Sequence, residues 1–263
     1  MVSPTADRAT GAPLLQGRRA LVVGASGGLG SAIARALARH GCRVAAAGRS
    51  REKIAAALPG AHALALDLGD HGSIAGAVAQ ATEALGGLDL LVNAAGAVSG
   101  GRFEQTTPQQ WRSSIEVKLL GTLEVIRAAL PPLKASRGTV LTLTGLYGRE
   151  PEAGQIISGA VNAALANCHK ALATDLAPQG VRVLSLAIGG FLTERLRQIV
   201  STQAQASGRS VDEQLLHAAQ SQPVGRFGQP DELGEMVALL ASPHCAYLTG
   251  TTLTIDGGAA HAA

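Results

Sequence analysis

Seven short apolar runs recur along the 263 residues: "RALVVG" (19–24), "RVAAAG" (43–48), "HALALD" (62–67), "LDLLVN" (88–93), "GTVLTLT" (138–144), "VRVLSLA" (181–187) and "TTLTID" (251–256). Each is apolar at successive positions rather than at every second one, which is the pattern of a strand covered by helices on both faces. Between them lie stretches with helical character at about 28–40, 50–58, 71–86, 108–130, 154–177 and 230–242. The last opens on "QPDEL", with Pro230 and two acids in the first turn, where a missing N–H costs nothing and negative charge meets the positive end of the helix dipole. Strands alternating with helices predict an α/β chain with a doubly wound, seven-stranded parallel sheet in a single domain. Residues 1–13 read as a flexible N-terminal tail and 14–263 as the domain; no internal repeat or interdomain linker interrupts it.

Composition removes several classes of function. A net charge of +3 with scattered basic residues and 2% aromatics offers neither the basic patch nor the stacking platforms of a nucleic-acid surface. No run approaches the ~18 apolar residues that cross a bilayer. Cys42, Cys168 and Cys245 show no metal-ligand spacing, so no metal is expected, and the opening "MVSPTADRATGAP" lacks an apolar signal region. Reduced thiols in a cytoplasmic protein are the expectation.

The stretch "VVGASGGLGSAIARALARHG" sets Gly24, Gly28 and Gly30 where the first strand passes into the first helix. Glycines there admit a pyrophosphate to the backbone, and the helix N-terminus supplies donors and a positive dipole end, although a tight turn alone would also use them. Combined with Asp67 at a strand end, "NAAG" at Asn93 to Gly96 and the closing "PVGRFGQPDELGEMVALLASPHCAYLTGTTLTIDGG", the chain resembles the short-chain dehydrogenase/reductase family from about Gly17 to Gly258. That resemblance implies a Rossmann sheet, a nicotinamide dinucleotide and a homotetramer. It places the cofactor on Gly24, Ser26, Gly27, Gly28, Leu29 and Gly30, with Asp67 and Leu68 by the adenine. Asn93, Ala94 and Gly96 then edge the cofactor, with Asn162, Gly189 and Thr193 completing the set. The end of the second strand reads Gly48-Arg49 in place of the acid that holds the ribose of NAD, so Arg49 favours NADPH over NADH. A solvated arginine at a helix start is the alternative, and Gly27 stands where phosphate-selective relatives often carry a second basic residue.

Family members mostly use an Asn, a Ser and a Tyr-x3-Lys pair for proton transfer and substrate positioning. By local motif these positions fall on Lys118, Gly145, Ser158 and Asn162, so all four are changed. A one-residue slip makes Thr144 the hydroxyl or brings Tyr147 into the site, but no slip restores a Tyr-x3-Lys pair. Lys170 lies eight residues beyond Asn162 and reads as a surface lysine. The Asn and Lys positions have exchanged residue types, so an ammonium can enter from the opposite wall; unrelated drift is the alternative. Lys118, Ser158 and Asn162 are the catalytic candidates.

Reducing an isolated ketone makes a strongly basic alkoxide, and losing the general acid costs about 10²- to 10⁴-fold. A quinone or enone delocalises the charge and tolerates that loss. The expected activity is NADPH-dependent reduction of a conjugated, quinone- or enone-like substrate, an aromatic polyketide among them. A cofactor-binding sensor or partner without catalysis is the alternative, and an unconventional dehydrogenase, lyase or isomerase a third. The polar insertion at about 189–222 is the expected substrate lid. Its apolar face would comprise Phe191, Leu192, Leu196 and Ile199, joined by Leu146, Tyr147 and Phe103, unless these cap the core or a subunit contact.

Overall fold

The computed structural model describes residues 13–96 and 98–261. Seven parallel strands form one sheet: β1 (Arg19–Val23), β2 (Arg43–Gly48), β3 (His62–Ala65), β4 (Leu90–Asn93), β5 (Thr139–Gly145), β6 (Arg182–Ile188) and β7 (Thr252–Ile255). Their order is β3-β2-β1-β4-β5-β6-β7. The order reverses between β1 and β4, which pair through Val23 and Asn93, and at such a switch point the loops diverge and open a crevice beyond the carboxyl ends of the strands. The predicted tail lies, apart from Pro13, outside the described residues.

Helices bury both faces of the sheet, which is why the strands carry apolar residues at successive positions. On one side lie α1 (Gly28–Arg39), α2 (Arg51–Ala57) and α9 (Pro230–Ala241), packing Ile33, Leu37, Ile54, Leu233 and Val237 against Val22 and Leu184. On the other lie α3 (His71–Leu85), α5 (Gly121–Ser136) and α6 (Ile156–Leu176), with Ile74, Val125, Ile126 and Leu176 against Leu21, Leu91 and Val140. Arg182 of β6 ties the end of α9 to the sheet, donating through Nη2 to Leu240 O (3.1 Å) and through Nη1 to Cys245 O (2.9 Å).

The stretch expected as one helix over 108–130 is divided. A short α4 (Pro108–Ser114), capped by the Thr107 side chain on Gln110 N–H, passes through a π turn over Ile115–Leu120 into α5. A π turn widens the helix by one residue and re-aims what it carries, and such turns concentrate at functional sites; here it turns Lys118 inward. α5 also runs on through Pro131 and Pro132 to Ser136, because its buried side, Ala129 and Leu133, keeps packing where the prolines lack donors. Arg137 at φ 52° ends it. Two further helices, α7 (Glu194–Ser207) and α8 (Val211–Gln220), form the insertion expected as a lid, started by Thr193 and Ser210 caps.

Candidate active site

A cavity of about 900 Å³ opens at the carboxyl ends of β1 to β4. Leu66 to Asp70 wall one end, Gly48 and Arg49 one flank, the Gly24–Gly30 loop the floor, and Ala94 to Gly96 with Ser99 the far end. Gly24 has φ +90°, and a Cβ there would come within 2.7 Å of Ala95 N, so only glycine lets the loop cross the end of β4. α1 begins at Gly27 with no side-chain cap and no acid in its first turn, which leaves its amides and dipole to a bound anion. Thr193, whose hydroxyl caps α7 by accepting from Leu196 N–H, brings its Cγ2 to 3.2 Å from where a Gly28 Cβ would stand. The volume, the uncapped helix start and the Gly-rich floor fit a dinucleotide.

Twelve of the residues expected at the cofactor line this cavity: Gly24, Ser26, Gly27, Gly28, Leu29, Gly30, Arg49, Asp67, Leu68, Ala94, Gly96 and Thr193. Three do not. Asn93 is buried and donates from Nδ2 to Thr142 Oγ1 (3.2 Å), bracing β4 against β5. Gly189 packs on Asp256 beyond β7. Asn162 belongs to the group below. No group of three or more metal-ligating side chains occurs among the described residues.

Beside the cavity the structure gathers Gly145, Ser158, Asn162 and Lys118, although none of the four lines it. Asn162 is buried, accepts the Gly145 N–H on Oδ1 (2.9 Å) and donates from Nδ2 to Ser158 O (2.9 Å) and Ser158 Oγ (3.3 Å). Lys118, 6% exposed, runs beneath Gly96, where a Cβ would press on its stem, and donates from Nζ to Ala95 O (2.9 Å) and Leu143 O (2.8 Å). Burial lowers its pKa to about 8. Below it, Asn93, Thr142 and Ser185 stand in register across β4, β5 and β6. His169, 2% exposed on α6, sets Nδ1 2.7 Å from Ser185 Oγ. Burial first, then the charge of Lys118, lower the His169 pKa to about 4. His169 Nε2 and Asn93 Oδ1 have no hydrogen-bond partner among the described residues.

The neighbouring hydroxyls divide. Thr144 turns into the sheet and donates to Leu186 O (3.3 Å). Tyr147, half-buried in the 3₁₀ turn Leu146–Gly148, hydrogen-bonds Glu152; burial and the Glu152 charge raise its pKa. The apolar face expected for the lid is also redrawn. Phe191 lies in the core with its ring against Gly228, and Ile199 faces outward at 47% exposure, so the inward stripe is Leu196, Val200 and Ala204 at four-residue spacing. Phe103 is 70% exposed. Lys170 is exposed, as expected. His169 beside it was missed; the available signal was its place in the buried Ile157, Val161, Leu165, Ala173 stripe.

Residues 24–260 match the family model described as enoyl-(acyl carrier protein) reductase. The chain belongs to the short-chain dehydrogenase/reductase family. Among the relatives of this oxidoreductase family is the 2,5-dichloro-2,5-cyclohexadiene-1,4-diol dehydrogenase LinX of Sphingobium indicum, 33% identical over 253 residues that cover 93% of this chain and 96% of LinX. An actinorhodin polyketide ketoreductase crystallised with NADPH superposes with a TM-score of 0.86 at 28% identity, over 93% of this chain and 98% of its own. A short-chain oxidoreductase of Pseudomonas aeruginosa PAO1, described as containing an atypical catalytic centre, gives 0.86 at 28% identity over 95% and 99%. The family fold accounts for the cavity at the switch point, and no helix among the described residues is long and apolar enough to cross a membrane.

Proposed function

We propose that this chain is an NADPH-dependent reductase acting on a conjugated acceptor, a quinone or an extended enone, without the tyrosine-lysine proton donor that most of the family uses. The observation that carries the reading is the pairing of a whole dinucleotide cavity, with Arg49 in its wall, and a neighbouring site whose lysine and asparagine, Lys118 and Asn162, are already held by backbone. Arg49 and the uncapped start of α1 supply the positive charge for the phosphates. NADPH, when bound, supplies the hydride; the protein positions and stabilises.

Lys118, Ser158 and Asn162 then have different tasks. Lys118 keeps a cation under Gly96 and favours negative charge developing on an acceptor oxygen. Its two carbonyl contacts make it a poor proton carrier, so the product enolate or phenolate is protonated by water. Asn162 fixes the Gly145 turn and orients Ser158, whose hydroxyl is left to meet the substrate oxygen. That cyclohexadiene-diol chemistry appears in LinX, and a polyketide substrate in the ketoreductase, supports a cyclic conjugated substrate. A homotetramer in the cytoplasm is the expected assembly and place.

A second reading, a cofactor-binding sensor without turnover, is favoured by the same commitment of Lys118 and Asn162 to backbone. Titrating the purified protein with NADPH and following its oxidation with 1,4-benzoquinone, 1,4-naphthoquinone and 2-cyclohexenone separates the two. Consumption with these acceptors supports the reductase; tight binding with none supports the sensor.

A further inference from the structure

The cavity wall contains two arginines, Arg49 from the end of β2 and Arg195 from the first turn of α7. Neither guanidinium has a hydrogen bond or ion pair to any described residue, whereas Arg226, Arg39 and Arg19 all hold carboxylates. The two stand at different places. Arg49 follows Gly48 at the ribose flank, with Ser26 packed against Gly48. Arg195 lies two residues past Thr193, and Thr193 touches Gly28 at the start of α1, where a pyrophosphate sits in this fold. The wall also carries three acids, Asp67 and Asp70 after β3 and Glu194 beside Arg195, so Arg49 and Arg195 are its sole cationic side chains for a bound anion among the described residues.

We infer that Arg195 is a second phosphate ligand, carried by the lid and directed at the pyrophosphate, so that the dinucleotide is gripped between the body of the fold and α7. The inference rests on the cavity being the nicotinamide dinucleotide site. An arginine meets two phosphate oxygens at once, and the contact offsets Glu194 on the same turn. Cofactor binding then steadies α7 where it lies, because Leu196 and the buried Val200 and Ala204 share one helix with Arg195.

The test compares dissociation constants of NADPH and NADH by fluorescence titration for the wild type, Arg195→Ala, Arg195→Lys, Arg49→Ala and Arg197→Ala. Arg195 is exposed, so its truncation leaves the core alone. Arg195→Ala is expected to weaken NADPH and NADH by the same factor, about 10-fold or more, with partial recovery in Arg195→Lys. Arg49→Ala is expected to weaken NADPH selectively. Arg197→Ala, on the same helix but outside the cavity wall, is expected to change neither. Loss confined to NADPH in Arg195→Ala would reassign the residue to the 2′-phosphate, and equal losses in Arg195→Ala and Arg197→Ala would reduce it to the general field; either overturns the inference, as does no loss. Hydrogen exchange over 194–207 gives the second readout: NADPH slows it in the wild type but not in saturated Arg195→Ala. A wild type that binds neither dinucleotide would remove the cofactor reading itself.

Discussion

Acid should unfold this protein partly through one side chain. His169 is 2% exposed, its Nδ1 faces Ser185 Oγ at 2.7 Å, and the Lys118 ammonium lies near enough to oppose its protonation. Its pKa falls from 6.5 to about 4, chiefly through burial and secondarily through Lys118. The folded state thus binds the proton less readily than the unfolded one, and stability must fall as pH drops through that window. The slope is about 1.4 kcal/mol per pH unit, and the total close to 3 kcal/mol once pH passes below 4. Urea denaturation at half-unit intervals from pH 7.5 to 4 measures it, with His169→Gln as reference, since glutamine can still bond Ser185 without titrating. The difference in stability between wild type and His169→Gln should change by about 3 kcal/mol across the window. Lys118→Met should raise the His169 pKa and narrow the effect. A difference that stays flat from pH 7.5 to 4 would refute the argument.

Lys118 gives the opposite end of the scale: its pKa is lowered from 10.5 to about 8, so the charged form is disfavoured in the fold and wild-type stability relative to Lys118→Met should rise between pH 8 and 10.5. The same denaturation series, extended upward, reads it, and Cys42, whose burial raises its thiol to about 12, cancels in the comparison. Arg49→Asp places an acid in the cavity wall and should weaken NADPH by about 10-fold or more while leaving NADH nearly unchanged, as measured by fluorescence titration. Gly24→Ala combines φ +90° with a 2.7 Å approach to Ala95 N and should lose dinucleotide binding and lower the melting temperature, whereas Gly76→Ala on α3, with open space around it, should do neither.

The sheet was legible because every strand carries its own signal: continuous apolar runs need two covered faces, and all seven runs became strands within two residues of their expected ends. The cavity was legible for a related reason. Gly24 and Arg49 line it, and what marks them in the sequence, backbone freedom and charge, is fixed by residue type and by position at a strand end. The interior of the site was not. Whether Lys118 faces a substrate or two carbonyls depends on a π turn, which adds one residue to a helix without changing its apolar pattern. His169 carries no local mark beyond its place in an apolar stripe, and its partner Ser185 comes from a strand sixteen residues on. Phe191 looked like lid surface because the expected lid began two residues before it; the chain instead folds Phe191 onto Gly228 before α7 starts. The helix expected to end near residue 130 runs on through Pro131 and Pro132 to Ser136, because tertiary packing outweighs their missing donors.

The central claim is that hydride transfer here proceeds without a protein proton donor in step with it. Single-turnover reduction of 1,4-naphthoquinone by the NADPH-loaded protein, run in H₂O and D₂O and with NADPH deuterated at the transferring position, addresses it directly. A primary isotope effect from the labelled cofactor with no solvent isotope effect, and negligible turnover of cyclohexanone, is the predicted result. A large solvent isotope effect on the same step, or cyclohexanone reduced at a comparable rate, would contradict the account.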